Sequence, residues 1–404
     1  MINEIIKLGL IICYVLLFFY LIKKEKQTVL YAIIVFVNLG IFVSLILIEY
    51  GMFIHEQQIF GFENGAFYIF YLFCLVSLIL FHYLSVKKIY LVTHYLSREK
   101  RIFIPISILF GFVLLYCIIE NPNYTRFDIF DGPFKMLFVR IEYIFTFAFL
   151  YTLFRTRKLN AKLFIYVLFC LLMFMRGSQF GAFMIATIWL FIAYYLGNGK
   201  LNIKWFSIFI LLALIPFAIK ISLNDILFIY QRIILEGHVF WGTINLLTQN
   251  GPNLDFSGFI NNFNDLSSGF QQGNIEYGFG KLMFDITPHF AEMSLDAGVR
   301  FASGYPAILI YHFGYVVGLL FHLLFTLLFF LVIQFLIYCF KYKDFFYSYV
   351  IYMIYMIVND FMIQGEYAHF RGKFLIKIFI VLSVVLIYKI FPKKNDASIK
   401  LDLS

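Results

Sequence analysis

The chain predicts an all-α, polytopic integral membrane protein with about eleven transmembrane helices and one large loop, forming a single membrane domain over residues 1–404. Three observations predict it. Hydrophobic residues make up 62% of the chain and charged residues 14%, against roughly 45–50% and about 25% in soluble globular domains. The apolar residues fall in repeated runs long enough to cross a bilayer core as helices, about 20 residues each, and the ten-residue alternating segments of a membrane barrel are absent. Lys and Arg recur in every second connection between the runs, the pattern that sets orientation in a membrane.

Taken in order, the runs lie near residues 5–22, 28–49, 67–84, 102–119, 136–154, 161–175, 182–196, 206–222, 314–339, 345–362 and 373–391. The first carries no A-x-A-like cleavage site and runs straight into Lys23-Lys24-Glu25-Lys26, so it reads as a retained span rather than a removed signal peptide. The further basic connections are Lys87-Lys88 through Arg101, Arg155-Thr156-Arg157-Lys158, Lys200 with Lys204, Lys341 with Lys343, and the tail after Lys389. All fall on one side if the N-terminus is outside and the C-terminus inside, and the positive-inside rule makes that side the cytoplasm. The opposite side carries residues 50–66, 120–135, the tight turn 176–181, the long segment 223–305 and residues 363–372.

The long segment holds three basic residues (Arg232, Lys281, Arg300) against eight acidic ones, as expected of an extracytoplasmic loop. The expected location is a bacterial inner membrane, with this loop and the N-terminus in the periplasm. A stretch of that length is not left structureless inside a compact protein. Residues 224–250 predict an amphipathic helix capped by Asn224 or Asp225, and residues 308–313 a short apolar re-entrant segment after the Gly304-Tyr305-Pro306 turn.

Composition also excludes function classes. The net charge of +9 sits in short clusters between spans, not in a basic face interleaved with aromatics, so nucleic acid is not a partner; the lipid bilayer is. The five cysteines all lie in apolar runs, which indicates neither a disulfide framework nor a zinc site. No H-E-x-x-H or Cys/His cluster occurs and no cofactor is implied.

The chemistry-bearing residues gather in and beside the long loop. On a helix Arg232 and Glu236 share a face as an i,i+4 pair while His238 points away, unless Gly237 ends the helix and lets His238 turn back. The plainer reading is a salt-bridged interfacial helix anchored by Trp241; the functional one uses the planar Arg232 guanidinium to hold a phosphate. Arg176 ends a span at a six-residue turn, where it either snorkels to headgroups or faces a ligand. Arg300 precedes the Gly304-Tyr305-Pro306 turn; Gly and Pro there either make the turn or allow close backbone approach. Three arginines meeting in one pocket suit a pyrophosphate. Asp285 and His289 place a carboxylate and an imidazole around Pro288, chemistry that a helix cap alone also explains. His82, His94 and His322 read as ordinary interfacial or core residues. Arg140, Glu142, Lys220, Asp360 and Lys377 are the embedded ionisable residues, of the kind that face an interior cavity.

Three stretches are similar to those of Wzy-type O-antigen polymerases: Gly177–Gly181 after Arg176; Arg232-Ile233 with Glu236-Gly237-His238 and Trp241; and Met283-Phe284-Asp285 with Pro288, leading into Gly298-Val299-Arg300-Phe301 and Gly304-Tyr305-Pro306-Ala307. The resemblance spans residues 158–320, and departs from the Arg-x10-Gly loop motif in that nine residues separate Arg232 from Gly242. It implies a glycosyltransferase of the GT-C type that joins undecaprenyl-pyrophosphate-linked oligosaccharide repeat units at the periplasmic face, with a chain-length regulator as partner. Under it, Arg176, Arg232 and Arg300 bind pyrophosphate. His238, Glu276, Asp285 and His289 are the candidate bases, His238 first among them, and Trp241 and Tyr305 contact glycan. The alternatives are a lipid-linked oligosaccharide flippase, or an O-antigen ligase with the same chemistry and another acceptor.

Overall fold

The computed structural model describes residues 2–54, 59–87, 135–175, 179–198, 207, 211, 226–250, 278–288, 303–342 and 345–365. Arg176, Glu276, His289 and Arg300 lie outside the described residues, as do the spans expected near 102–119 and 373–391 and nearly all of 206–222.

The described residues are helical apart from a hairpin of two-residue strands, Phe53–Ile54 and Ile59–Phe60. Helix α1 (Ile2–Lys24) leads through a 3-10 turn (Lys26–Tyr31) into α2 (Ala32–Glu49); α3 (Ala66–Val86) follows the hairpin. Then come α4 (Lys135–Arg155), α5 (Leu159–Met175), α6 (Gln179–Asn198), α7 (Ile226–Asn250), α8 (Gly278–Ile286), α9 (Ala307–Tyr342) and α10 (Phe345–Gln364). Residues 2–24, 26–49, 66–86 and 307–341 form helices long and apolar enough to cross a membrane. Ile5, Leu8, Ile12 and Leu16 make an exposed apolar stripe on α1 at helical spacing, as Val316, Leu320 and Leu324 do on α9. Stripes of that kind are what lipid covers on a spanning helix, whose backbone groups are paired internally.

Contacts between helix ends give the bundle two chemically different ends. At one, the Tyr195 hydroxyl donates to Ile22 O (2.8 Å), Arg155 Nε to Phe340 O (3.1 Å), Lys162 Nζ to Ala193 O (3.0 Å) and Gln334 Nε2 to Gln27 Oε1 (3.1 Å). Lys23, Lys24, Lys26, Arg155 and Lys341 therefore share this end. At the other, Lys7 Nζ pairs with Glu49 at 2.6 Å and with Glu63 at 3.5 Å, both partners of the first pair being buried. Glu49 also accepts from the Phe67 N–H at the start of α3, so one carboxylate ties α1, α2 and α3 together.

Helix α7 forms over nearly the residues expected, but it does not lie on the surface as an interfacial helix. It runs alongside α2 in the most extensive helix pair of the described fold. The Ser44 hydroxyl donates to Ile234 O (2.6 Å) and accepts from the Gly237 N–H (2.8 Å). Trp241, one turn on, reaches the segment before α3: its indole N–H donates to Phe62 O (2.9 Å), and Asn64 donates to Trp241 O (3.0 Å). Gly237 does not end the helix. It is the point of closest approach, where a Cβ would stand 2.6 Å from Ser44 Oγ and 3.2 Å from Ile41 O.

The short apolar segment expected over 308–313 is present as a half-helix. Helix α9 is broken at Gly314 (φ 71°, ψ −174°), which separates a buried half-helix of Ala307–Phe313 from the long span that follows. The span passes close to it at Gly318, where a Cβ would lie 3.1 Å from Leu309 O. The break at Gly314 is itself buried in protein.

Candidate functional site

The site forms where α7, α8, the 303–306 turn and the half-helix of α9 meet, at the end of the bundle opposite the basic ends. The turn is held from both sides. Gly304 N–H donates to Gln364 O (3.0 Å), and Gly365 (φ 75°) packs its backbone on Gly304, leaving no room for a Cβ on either residue. Tyr305, joined to Pro306 by a cis peptide, points inward: its hydroxyl bonds His322 Nδ1 (2.8 Å), while His322 Nε2 lies 3.2 Å from Phe73 O. A carbonyl only accepts, so Nε2 carries the ring proton and Nδ1 accepts from the tyrosine. The turn is thus fastened to α3, α9 and α10 at once.

Two carboxylates from the long loop are brought to this fastened segment. Ser303 Oγ donates to Glu236 Oε2 on α7 (2.5 Å), and the Tyr311 hydroxyl of the half-helix donates to Asp285 Oδ2 on α8 (2.5 Å). Both acids are half-buried, whereas Ser303 is 2% and Tyr311 8% exposed. Helices α7 and α8 are themselves in contact, Ile286 packing where a Cβ on Gly242 would stand. A carboxylate oriented by a hydroxyl is of the chemical type that accepts a substrate hydroxyl's proton.

The expected site residues are not all brought together. Asp285 stands at the junction. His238 is 1% exposed, its Nδ1–H donating to Leu235 O (2.8 Å), which places it inside the helix packing and not at a surface a saccharide reaches. Trp241 (2% exposed) and Tyr305 (5%) are also buried. Phe62 stacks edge-on to Trp241 and Phe361 to Tyr305. Both rings pack inside the fold. Arg232 sits on α7 one turn before Glu236. Glu236 itself read only as a partner for Arg232, and Tyr311 and His322 read as apolar-run residues.

Together these features define a helical, membrane-embedded protein whose polar junction lies at one end of an apolar bundle. Residues 263–382 match a protein family described as a family of unknown function (DUF6418), a segment that contains α8, the turn, the half-helix, its span and α10. No curated protein and no solved structure matches the chain.

Proposed function

We propose that this protein is a Wzy-type O-antigen polymerase. It transfers the growing glycan from one undecaprenyl pyrophosphate carrier to a second lipid-linked repeat at the periplasmic face of the inner membrane. The observation that carries this reading is the meeting of two loop carboxylates with the hydroxyls of a fastened re-entrant turn, at the end opposite the Lys- and Arg-rich ends. Under the positive-inside rule the basic end is cytoplasmic, so the junction faces the periplasm, with the N-terminus there and the C-terminus in the cytoplasm. Glycosyl transfer from a lipid pyrophosphate needs cations for the leaving group and a base for the attacking hydroxyl. Arg176, Arg232 and Arg300 are assigned the first role. Among the expected bases Asp285 fits the second better than the buried His238. Trp241 and Tyr305 shape the floor of the junction instead of stacking on sugar.

The test is a gel of lipopolysaccharide from a deletion strain of the native host, complemented with wild type, Arg232→Ala or Arg300→Ala. Wild type restores long chains, and each variant leaves a core bearing a single repeat. Complete loss of O-antigen in the deletion strain points to a flippase or ligase. Normal chains from both variants remove the arginines from the mechanism.

A further inference from the structure

We propose that Glu236 is the general base of the transfer and that Ser303 is the residue that positions its carboxylate. This rests on the glycosyl-transfer reading above and gives Glu236, in place of Asp285, the role of base.

Three features single out Glu236. Residues 237–244 of α7 are buried without interruption, and Glu236 is the half-buried charge at the border of that stretch. It is placed there by a rigid element, since the next residue, Gly237, is seated against Ser44 of α2. Its Oε2 is then fixed from a different part of the chain by Ser303 (2.5 Å). Ser303 belongs to the turn held by Gln364 and Gly365, so both partners of this hydrogen bond stand on fixed backbone. A carboxylate pinned from two sides keeps its orientation when a substrate arrives, as a base that must meet one particular hydroxyl requires.

Glu236 and Ser303 each lie close in sequence to an assigned cation. Arg232 lies one helical turn before Glu236, about 6 Å along the axis at 1.5 Å per residue, and Arg300 is three residues before Ser303 in the chain. Glu236 therefore shares helix α7 with Arg232, one of the residues assigned to the leaving pyrophosphate. Inverting displacement at a sugar carbon places base and leaving group on opposite faces of the ring, and paired carboxylates in inverting glycosidases stand roughly 6.5–9.5 Å apart for that reason. Asp285 receives its hydroxyl from Tyr311 of the half-helix. That contact ties α8 to the re-entrant segment.

The step balances as follows. The acceptor hydroxyl gives its proton to the Glu236 carboxylate as its oxygen bonds to the anomeric carbon. The bond from that carbon to the pyrophosphate oxygen breaks, and the carrier leaves with the electron pair as polyprenyl pyrophosphate. The proton on Glu236 then passes to water, which restores the carboxylate.

The experiment uses full-length protein in vesicles, with lipid-linked single repeat extracted from membranes of the deletion strain as substrate. Wild type forms polymer. Glu236→Gln slows it by about a hundredfold or more, the range for loss of a general base. Glu236→Asp recovers part of the rate, Ser303→Thr keeps it, and Ser303→Ala lowers it about tenfold, on the order of one hydrogen bond to a charged group. Thermal stability is read on the same samples. Wild-type rates from Glu236→Gln overturn the proposal while leaving the polymerase reading intact. A loss of rate matched by unfolding in both Glu236→Gln and Ser303→Ala, with no recovery in Glu236→Asp, also overturns it, because a structural latch behaves that way. No polymer from wild type overturns the polymerase reading itself and this proposal with it.

Discussion

Replacing Gly237 by Ala separates a helix packed into the bundle from one lying at the membrane surface, because the two cases have opposite signs. On an exposed helix, Gly→Ala stabilises by about 1 kcal/mol through backbone entropy. In this structure the new Cβ would stand 2.6 Å from Ser44 Oγ and 2.8 Å from Ser44 Cβ, and neither atom is the far end of a flexible chain. Helix α7 must move off α2. Overpacking of this kind costs about 1–3 kcal/mol. The movement also stretches the two hydrogen bonds that Ser44 makes to Ile234 and Gly237, each worth about 1 kcal/mol. With the propensity gain subtracted, the net expectation is a loss of about 1–4 kcal/mol, read as a lower unfolding midpoint of the detergent-solubilised protein. Ser44→Gly added to Gly237→Ala removes both close atoms and leaves only Ile41 O at 3.2 Å, so the double variant recovers much of the stability. If Gly237→Ala matches or exceeds wild type, α7 is not seated on α2, and the rigid placement of Glu236 falls with it.

Two further outcomes follow from buried polar groups. Lys7→Met leaves the buried Glu49 carboxylate with the Phe67 N–H and no cation, a loss of about 3–5 kcal/mol, whereas Lys7→Met with Glu49→Gln recovers most of it; equal losses from both would mean the pair is solvated. His322→Phe keeps a ring between Phe73 and Tyr305 but removes both imidazole hydrogen bonds, a loss of about 1–3 kcal/mol in thermal stability that Tyr305→Phe partly reverses; no change from His322→Phe would show the turn is held by Gly304 and Gln364 alone.

Hydropathy was enough to place several of the described helices. The run near 345–362 corresponds to helix Phe345–Gln364 and that near 67–84 to Ala66–Val86, because an apolar run bounded by polar residues marks a helix with a face buried along its length. The half-helix was legible for a different reason: Gly304-Tyr305-Pro306 and Gly314 bracket an apolar segment too short to span. Helix α7 was less legible. Arg232, Glu236 and Gln231 give it the composition of a surface helix, and depth within a bundle depends on whether a partner offers a groove. Ser44 and Gly237 form that groove, and they are 193 residues apart. The burial of the aromatic residues was hidden for the same reason, since Trp241 and Tyr305 beside polar residues suit a sugar platform and a buried anchor equally well. Lys7 and Glu49 did not stand out among embedded charges because each lies close to a span end and only the fold joins them.

The close passage at Gly318 gives the polar junction a dependence on a residue that carries no chemistry. Leu309 O and the Ile310 backbone fill the space where any larger side chain would go. A methyl group there would require the half-helix to give by a few tenths of an ångström. Tyr311 belongs to that half-helix and donates to Asp285, so the spacing at position 318 bears on the aim of an acid on another helix.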